Sequence, residues 1–177
     1  MNFFLDDPQL VATFDRGVPW DRVVPIAEGP GTDVAQTVAT WREILAIAGR
    51  FIGTEVASRA REVDKLGVIR EGGHIEMSEP LKANLKGLAE LGLIGLPLPR
   101  EYGGEGMPFV VNAGVIEMLA RADAATMVQY AFYSSPATMI LRFGSDVQKQ
   151  RWVPRLASGE IIGWVAMTEP EAASVSS

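Results

Sequence analysis

The feature that most constrains this chain is a stripe. Val34, Val38, Trp41, Leu45, Ala48 and Ile52 recur at spacings of 4, 3, 4, 3 and 4, which puts their side chains along one side of an α-helix. Asp33 stands where an N-cap belongs, and Gln36 follows three residues on, as in a capping box. Gly67 can stop the helix in the left-handed conformation that glycine adopts cheaply. A helix over residues 34–66 would be on the order of 45–50 Å long. A striped helix of that length cannot bury its own apolar face, so the spacing predicts a helical bundle.

Further start and stop signals agree. Ser78 opens a second helix with Glu79 and Pro80 in its first turn; Leu81, Leu85, Leu88 and Leu91 form its buried face, and Gly92 stops it. Residues 93–99 are apolar but broken by Gly95, Pro97 and Pro99, a buried extended turn. A Gly-rich loop follows over 100–108. Pro108 suits a first helical position, and residues 109–121 are apolar nearly all round, as expected of a central helix. Asp123 caps a helix over 124–143, with a kink or break expected just before Pro136, and Gly144 closes it. Ser145 with Gln148 forms another capping box, opening a helix to about Ala157. Trp152 and Leu156 are expected on its inner face, and Pro154 should kink or shorten it.

Two stretches lack such periodicity. Residues 1–32 are broken by Pro8, Gly17, Pro19, Pro25 and Gly29, and read as an irregular arm with one short helix near residues 8–14. Phe3, Phe4, Leu5 and Trp20 are too apolar for a free arm, which therefore lies on its own domain or on a partner. Residues 68–77 read as a polar connection. His74, the sole histidine, has no second His or Cys with which to share a metal, and no role or metal site is assigned to it.

The pattern changes at residues 160–167 (EIIGWVAM), a short β-rich run bounded by Ser158-Gly159 and Glu169-Pro170. It reads as a buried strand. One strand cannot satisfy its own backbone, so a sheet is expected beyond residue 177. The predicted fold class is all-α: an irregular arm over 1–32, a helical domain over 33–158, and the start of a truncated middle β-domain over 159–177.

Composition narrows the function. Apolar residues make up 47% of the chain, enough for a core. The 16 Lys and Arg are scattered and the net charge is −6, so no nucleic acid partner is expected. The absence of Cys rules out a thiolate nucleophile or zinc site in these residues. No run approaches the ~18 apolar residues of a membrane span, and no leader pattern stands near the start. A cytoplasmic protein is expected.

Four stretches carry a more specific signal. Leu91-Gly92-Leu93-Ile94-Gly95 precedes Pro99-Arg100-Glu101-Tyr102-Gly103-Gly104. Arg121-Ala122-Asp123-Ala124 comes before a central helix. Phe143-Gly144-Ser145 leads into Gln148-Lys149-Gln150-Arg151-Trp152-Val153-Pro154-Arg155-Leu156-Ala157-Ser158-Gly159-Glu160, and Met167-Thr168-Glu169-Pro170-Glu171-Ala172 comes last. In this order over residues 33–177 they resemble the acyl-CoA dehydrogenase family. The arm resembles the extended N-terminus of some bacterial members, including those acting on long-chain or methylthio-substituted acyl-CoA.

The resemblance implies a helical N-terminal domain, a middle β-domain and a C-terminal bundle, of which this chain supplies the first and the opening of the second. It implies FAD as cofactor, an acyl-CoA substrate, an electron-transfer partner and a homo-oligomer. In the family a Glu removes the α-proton while the flavin accepts the β-hydride; that Glu is expected downstream, so no catalytic residue is assigned here. Met167 and Thr168 match the family's flavin contacts, and Ser174 matches the Ser between flavin and thioester arm. Thr168 also has a plain reading, a strand-to-loop cap bonded to its own backbone. Ala173 stands where Gly is usual, and Val175 where Asp is usual. Glu169 and Glu171 read as solvated carboxylates. Gly103-Gly104-Glu105-Gly106 follows no strand and lacks dinucleotide-fingerprint spacing. The chain alone is expected to be inactive, as a shortened piece of the enzyme. The alternatives are a non-catalytic helical interaction module, or one subunit completed by a partner chain.

Overall fold

Eight α-helices and one β-hairpin are described in a computed structural model that covers residues 1–72 and 74–164. In chain order they are α1 (Pro8–Ala12), α2 (Trp20–Glu28), α3 (Val34–Phe51), α4 (Ala57–Leu66), β1 (Val68–Glu71), β2 (His74–Met77), α5 (Glu79–Glu90), α6 (Phe109–Ala122), α7 (Ala124–Phe143) and α8 (Asp146–Ala157). The architecture is the all-α bundle expected. Among the described residues no helix is long and apolar enough to cross a membrane.

The striped helix forms in two pieces. Asp33 accepts from the Gln36 N–H at 3.0 Å and starts α3. Trp41, Leu45, Ala48 and Ile52 are buried, while Val34 and Val38 are partly buried against the same core. A π turn at Ile52–Val56 joins α3 to α4. The wider turn rotates the following residues and keeps Ile52, Val56 and Val63 buried. Gly67 ends α4 at φ 56°.

The arm is more ordered than the sequence suggested. Asp7 caps α1 by accepting from Gln9 and Leu10 N–H groups. Those bonds, the Leu10 one foremost, and the paired Arg121 hold its carboxyl below the usual range. Pro19 and Pro25 do not prevent α2. Pro25 removes only the donor to the Asp21 carbonyl, and Asp21 is exposed, so water can serve it. The arm lies on its own bundle through an aromatic relay: Phe4 to Phe14 at 5.7 Å, Phe14 to Trp20 at 4.7 Å, and Trp20 to Trp41 at 5.6 Å between ring centres. Two glycines one turn apart make room for it. A Cβ on Gly49 would stand 2.6 Å from the Phe4 nitrogen, and one on Gly53 would stand 2.5 Å from the Met1 carbonyl oxygen.

Residues 68–77 are a hairpin rather than a plain connection, with Val68 opposite Met77 and Glu71 opposite His74. The cue was the Gly72-Gly73 pair in the sequence, a two-residue turn pattern, with β-branched Val68 and Ile69 before it and Ile75 after it; Gly72 has φ 55°. His74 is exposed.

Helix α5 buries Leu81, Leu85 and Leu88, but Leu91, expected on that face, is 41% exposed. Leu91 is the C-cap, and the chain has already turned. Gly92 at φ 70° lets the Leu93 N–H reach the Leu88 carbonyl and its own N–H reach Ala89, both at 2.9 Å, in a Schellman closure. Ser78 holds the N-cap position with its hydroxyl buried and unbonded. Helix α7 runs through Pro136 as one uninterrupted element, and Ser145 and Gln148 complete the capping box of α8. In α8 the buried positions are Val153, Leu156 and Ala157. Trp152, expected inside, is half-buried with Arg151 and Arg155 over its ring. Residues 160–164, expected to open a strand, run as bends and coil; residues 165–167 lie outside the described residues.

Gly49→Ala tests the seating of the arm. It should cost about 1–3 kcal/mol through overpacking and move the Trp20–Trp41 emission in urea titrations monitored by fluorescence. A midpoint and spectrum like those of the parent would contradict the close packing.

Candidate functional site

Helix α7 presents two different faces. Tyr130, Tyr133 and Ala137 turn inward. Outward and along one side stand Ala131, Ser134, Ser135 and Thr138, spaced i, i+3, i+4 and i+7. Small residues at that spacing leave a trough along the helix. Phe109 and Ile116 of α6, Met139 of α7 and Pro97 of the preceding turn form the rest of its wall. The groove has a volume of about 380 Å³, within the range of small-ligand pockets. None of its lining residues is charged. The Thr138 hydroxyl donates to the Ser134 carbonyl at 2.8 Å, so the hydroxyl is already engaged. Phe109 and Met139 remain 66% and 56% exposed at the rim. Chemically, the arrangement can hold a narrow aliphatic chain and offers no acid or base.

The back of α7 is fixed by directional bonds. The Tyr130 hydroxyl lies 2.8 Å from the Leu93 carbonyl and 2.6 Å from the Asn112 side-chain amide. The hydroxyl has one proton, which it shares between the Leu93 carbonyl and the Asn112 Oδ1 as alternative acceptors. Burial pushes the Tyr130 phenol far above its ordinary range, and that of Tyr133 upward as well. At the helix start, Asp123 accepts from the Ala125 and Thr126 N–H groups and from the Thr126 hydroxyl. Thr126 in turn accepts from Asn84 of α5 at 3.0 Å, and Asn84 accepts from Arg59 of α4 at 3.1 Å.

The chain leaves the bundle beside this groove. The Gly163 N–H donates to the Phe132 carbonyl at 3.1 Å. The Trp164 ring lies 5.6 Å from the Phe132 ring at an interplanar angle of 31°. Phe132 is the neighbour of Ala131 in the groove wall.

Comparison with known proteins supplies the family. Residues 39–160, more than half of the chain, match the model for the acyl-CoA dehydrogenase N-terminal domain. The chain belongs to the acyl-CoA dehydrogenase family. It is 31% identical over 134 residues to the mitochondrial isovaleryl-CoA dehydrogenase of Bos taurus, covering 75% of this chain and 29% of that protein. It is similar to the structure of butyryl-CoA dehydrogenase from Megasphaera elsdenii, at 26% identity and TM-score 0.62, covering 75% of this chain and 33% of that one. It shares its fold with an acyl-CoA dehydrogenase from Bacillus anthracis complexed with FAD, at 24% identity and TM-score 0.63, covering 92% and 25%. The chain thus spans about three tenths of the length of the curated relatives it matches.

The acyl-CoA dehydrogenase motifs fall into two groups. The Pro99 to Gly104 stretch is structural: Gly103 turns at φ 82°, a Cβ on Gly104 would stand 2.7 Å from the Leu98 Cβ, and Arg100 makes a bidentate pair with Glu28 at 2.7 and 2.8 Å. The expected site residues Met167, Thr168 and Ser174 lie outside the described residues, as do Glu169 and Glu171. The groove was not anticipated from sequence, although the small-residue stripe at 131, 134, 135 and 138 was there to be read.

Tyr130→Phe tests the clamp behind the groove. It leaves a buried carbonyl and amide unpaired and should cost about 1–3 kcal/mol, read by chemical denaturation. Because folding raises the Tyr130 value, its stabilisation is complete below the ordinary tyrosine value near pH 10 and is lost as pH rises above it. The parent should therefore lose stability more steeply than the variant above about pH 10. Parallel profiles would contradict the clamp.

Proposed function

We propose that this chain is the helical part of an FAD-dependent acyl-CoA dehydrogenase and that the α6–α7 groove receives the acyl tail of an acyl-CoA thioester. The family match over residues 39–160, which contains both walls of the groove, carries the reading. An uncharged trough with small residues on its floor suits methylenes, and burying each CH2 contributes ~0.8 kcal/mol. Bound FAD would supply the acceptor for the two electrons leaving the substrate.

Met167 and Thr168 are proposed to hold the flavin. A Thr hydroxyl and a backbone amide suit the carbonyl and nitrogen edge of a planar ring, and the approach to them is tethered at Gly163. Ser174 is proposed to lie between flavin and thioester. The described residues place no carboxylate in the groove, and the family's proton-abstracting Glu would come from downstream, so the chain alone binds without turning substrate over. The helical domain would run over 33–158 after the 1–32 arm, with the middle β-domain opening over 159–177. Exposed Phe143 and Val147 on α7 and α8 support contact with further protein, in keeping with a homo-oligomer and an electron-transfer partner. A cytoplasmic location belongs to the same reading.

Calorimetric titration with straight-chain acyl-CoA thioesters tests the acyl-groove claim. Affinity should rise about fourfold per methylene until the groove is full, with free CoA weakest. Ala131→Trp should lower the affinity of the longest thioester about tenfold, a change of ~1.4 kcal/mol. Equal affinity for free CoA and every thioester would overturn it.

A further inference from the structure

Pro136 lies deep inside α7, a position where proline removes a backbone donor and costs a helix about 3 kcal/mol relative to alanine. The group left without its helical partner is the Phe132 carbonyl, on a half-buried residue. Among the described residues two other helices contain proline beyond their first turn, Pro25 in α2 and Pro154 in α8. The carbonyls they free belong to Asp21 and Gln150, both exposed, where water can serve them. The Phe132 carbonyl is instead taken by the Gly163 N–H at 3.1 Å.

The contact needs both residues. A Cβ on Gly163 would stand 2.5 Å from the Pro136 Cγ and 2.6 Å from its Cβ, with the Phe132 oxygen at 3.3 Å. No φ in the left-handed region is involved; the requirement is space against the ring. Neighbouring contacts hold the same stretch: Ile162 packs on the main core, Ile161 packs on the smaller cluster around Val153 and Leu156, and the Ile161 N–H reaches the Arg155 carbonyl at 3.3 Å. Trp164 then lies against the Phe132 ring.

We propose that Pro136 and Gly163 are a positioning pair: the proline bares a helix carbonyl, the glycine docks on it, and together they fix where the chain departs from α7 toward Met167 and Thr168. This rests on the flavin reading of those two residues for its consequence, but not for the anchor itself. Met167 follows Gly163 by four steps along the chain, a reach of at most about 14 Å, so an anchor at 163 strongly restricts where the flavin contacts can sit. Neither residue is catalytic, since neither is argued to touch substrate or cofactor.

Two variants separate positioning from simple stabilisation. Gly163→Ala cannot seat against the ring. Pro136→Ala restores an N–H to α7 and should keep or raise the melting temperature, while covering the Phe132 carbonyl. Hydrogen exchange at residue 163, read by NMR, should accelerate at least tenfold in both variants, and FAD retained after desalting should fall several-fold in both. A melting temperature that drops in Pro136→Ala, with exchange at 163 unchanged, would make the proline merely structural and overturn the proposal. Accelerated exchange with undiminished flavin in both variants would overturn the positioning role. If the parent chain retains no flavin, the reading of Met167 and Thr168 fails, and the exchange ratio alone decides the anchor: tenfold faster upholds it, equal rates overturn it.

Discussion

Asn84 is wholly buried, and its amide has no water to turn to. It donates to Thr126, which donates to the cap of α7 at Asp123, and it accepts from Arg59, which also pairs with Glu55 at 2.5 Å. A chain of directional bonds thus runs from α4 through α5 to the first turn of α7. Apolar contacts tolerate sliding and rotation; hydrogen bonds in a dry interior do not, because an unmade one costs about 1–3 kcal/mol. Tyr130, one turn further along α7, repeats the device toward Leu93 and Asn112. Between them these bonds fix the rotation of α7 about its own axis.

What faces outward follows from that rotation. With Tyr130, Tyr133 and Ala137 held inward, Ala131, Ser135 and Thr138 must line the open side, and the trough against α6 results. The same rotation turns the Phe132 carbonyl and the Pro136 ring toward Gly163, so the groove and the departure of the chain share one helix as their reference. On the proposed function, that one helix would be the common reference for the acyl chain and for the approach to the flavin contacts.

The helices were legible where their ends are set by local chemistry. Asp33, Asp123, Ser145 with Gln148, and Gly92 each act through bonds to neighbours a few residues away, and each was found in its expected place. Helix α2 was hidden because Pro19 and Pro25 mask it; Trp20 and Val24 share a face and are both buried, which is a tertiary fact. Leu91 and Trp152 were misplaced because periodicity gives a stripe without saying where the partner surface stops. The hairpin was hidden because the polarity of residues 68–77 masks the Gly-Gly turn signal and the β-branched Val68, Ile69 and Ile75 around it. The groove was harder to see, since small residues announce themselves by what they omit. The motifs around Met167, Thr168 and Ser174 were readable only as a family resemblance, because no local physical chemistry distinguishes a flavin-binding Thr from a capping one.

The central claim is that the α6–α7 groove holds the acyl tail. Photo-crosslinking tests it directly, using an acyl-CoA with a diazirine at the far end of its chain, followed by mass spectrometry of the labelled peptides. The label should fall on the peptides carrying Ile116, Ala131 and Met139. Label concentrated instead around Phe143 and Val147, or spread without preference over exposed apolar residues such as Ile75, would contradict it.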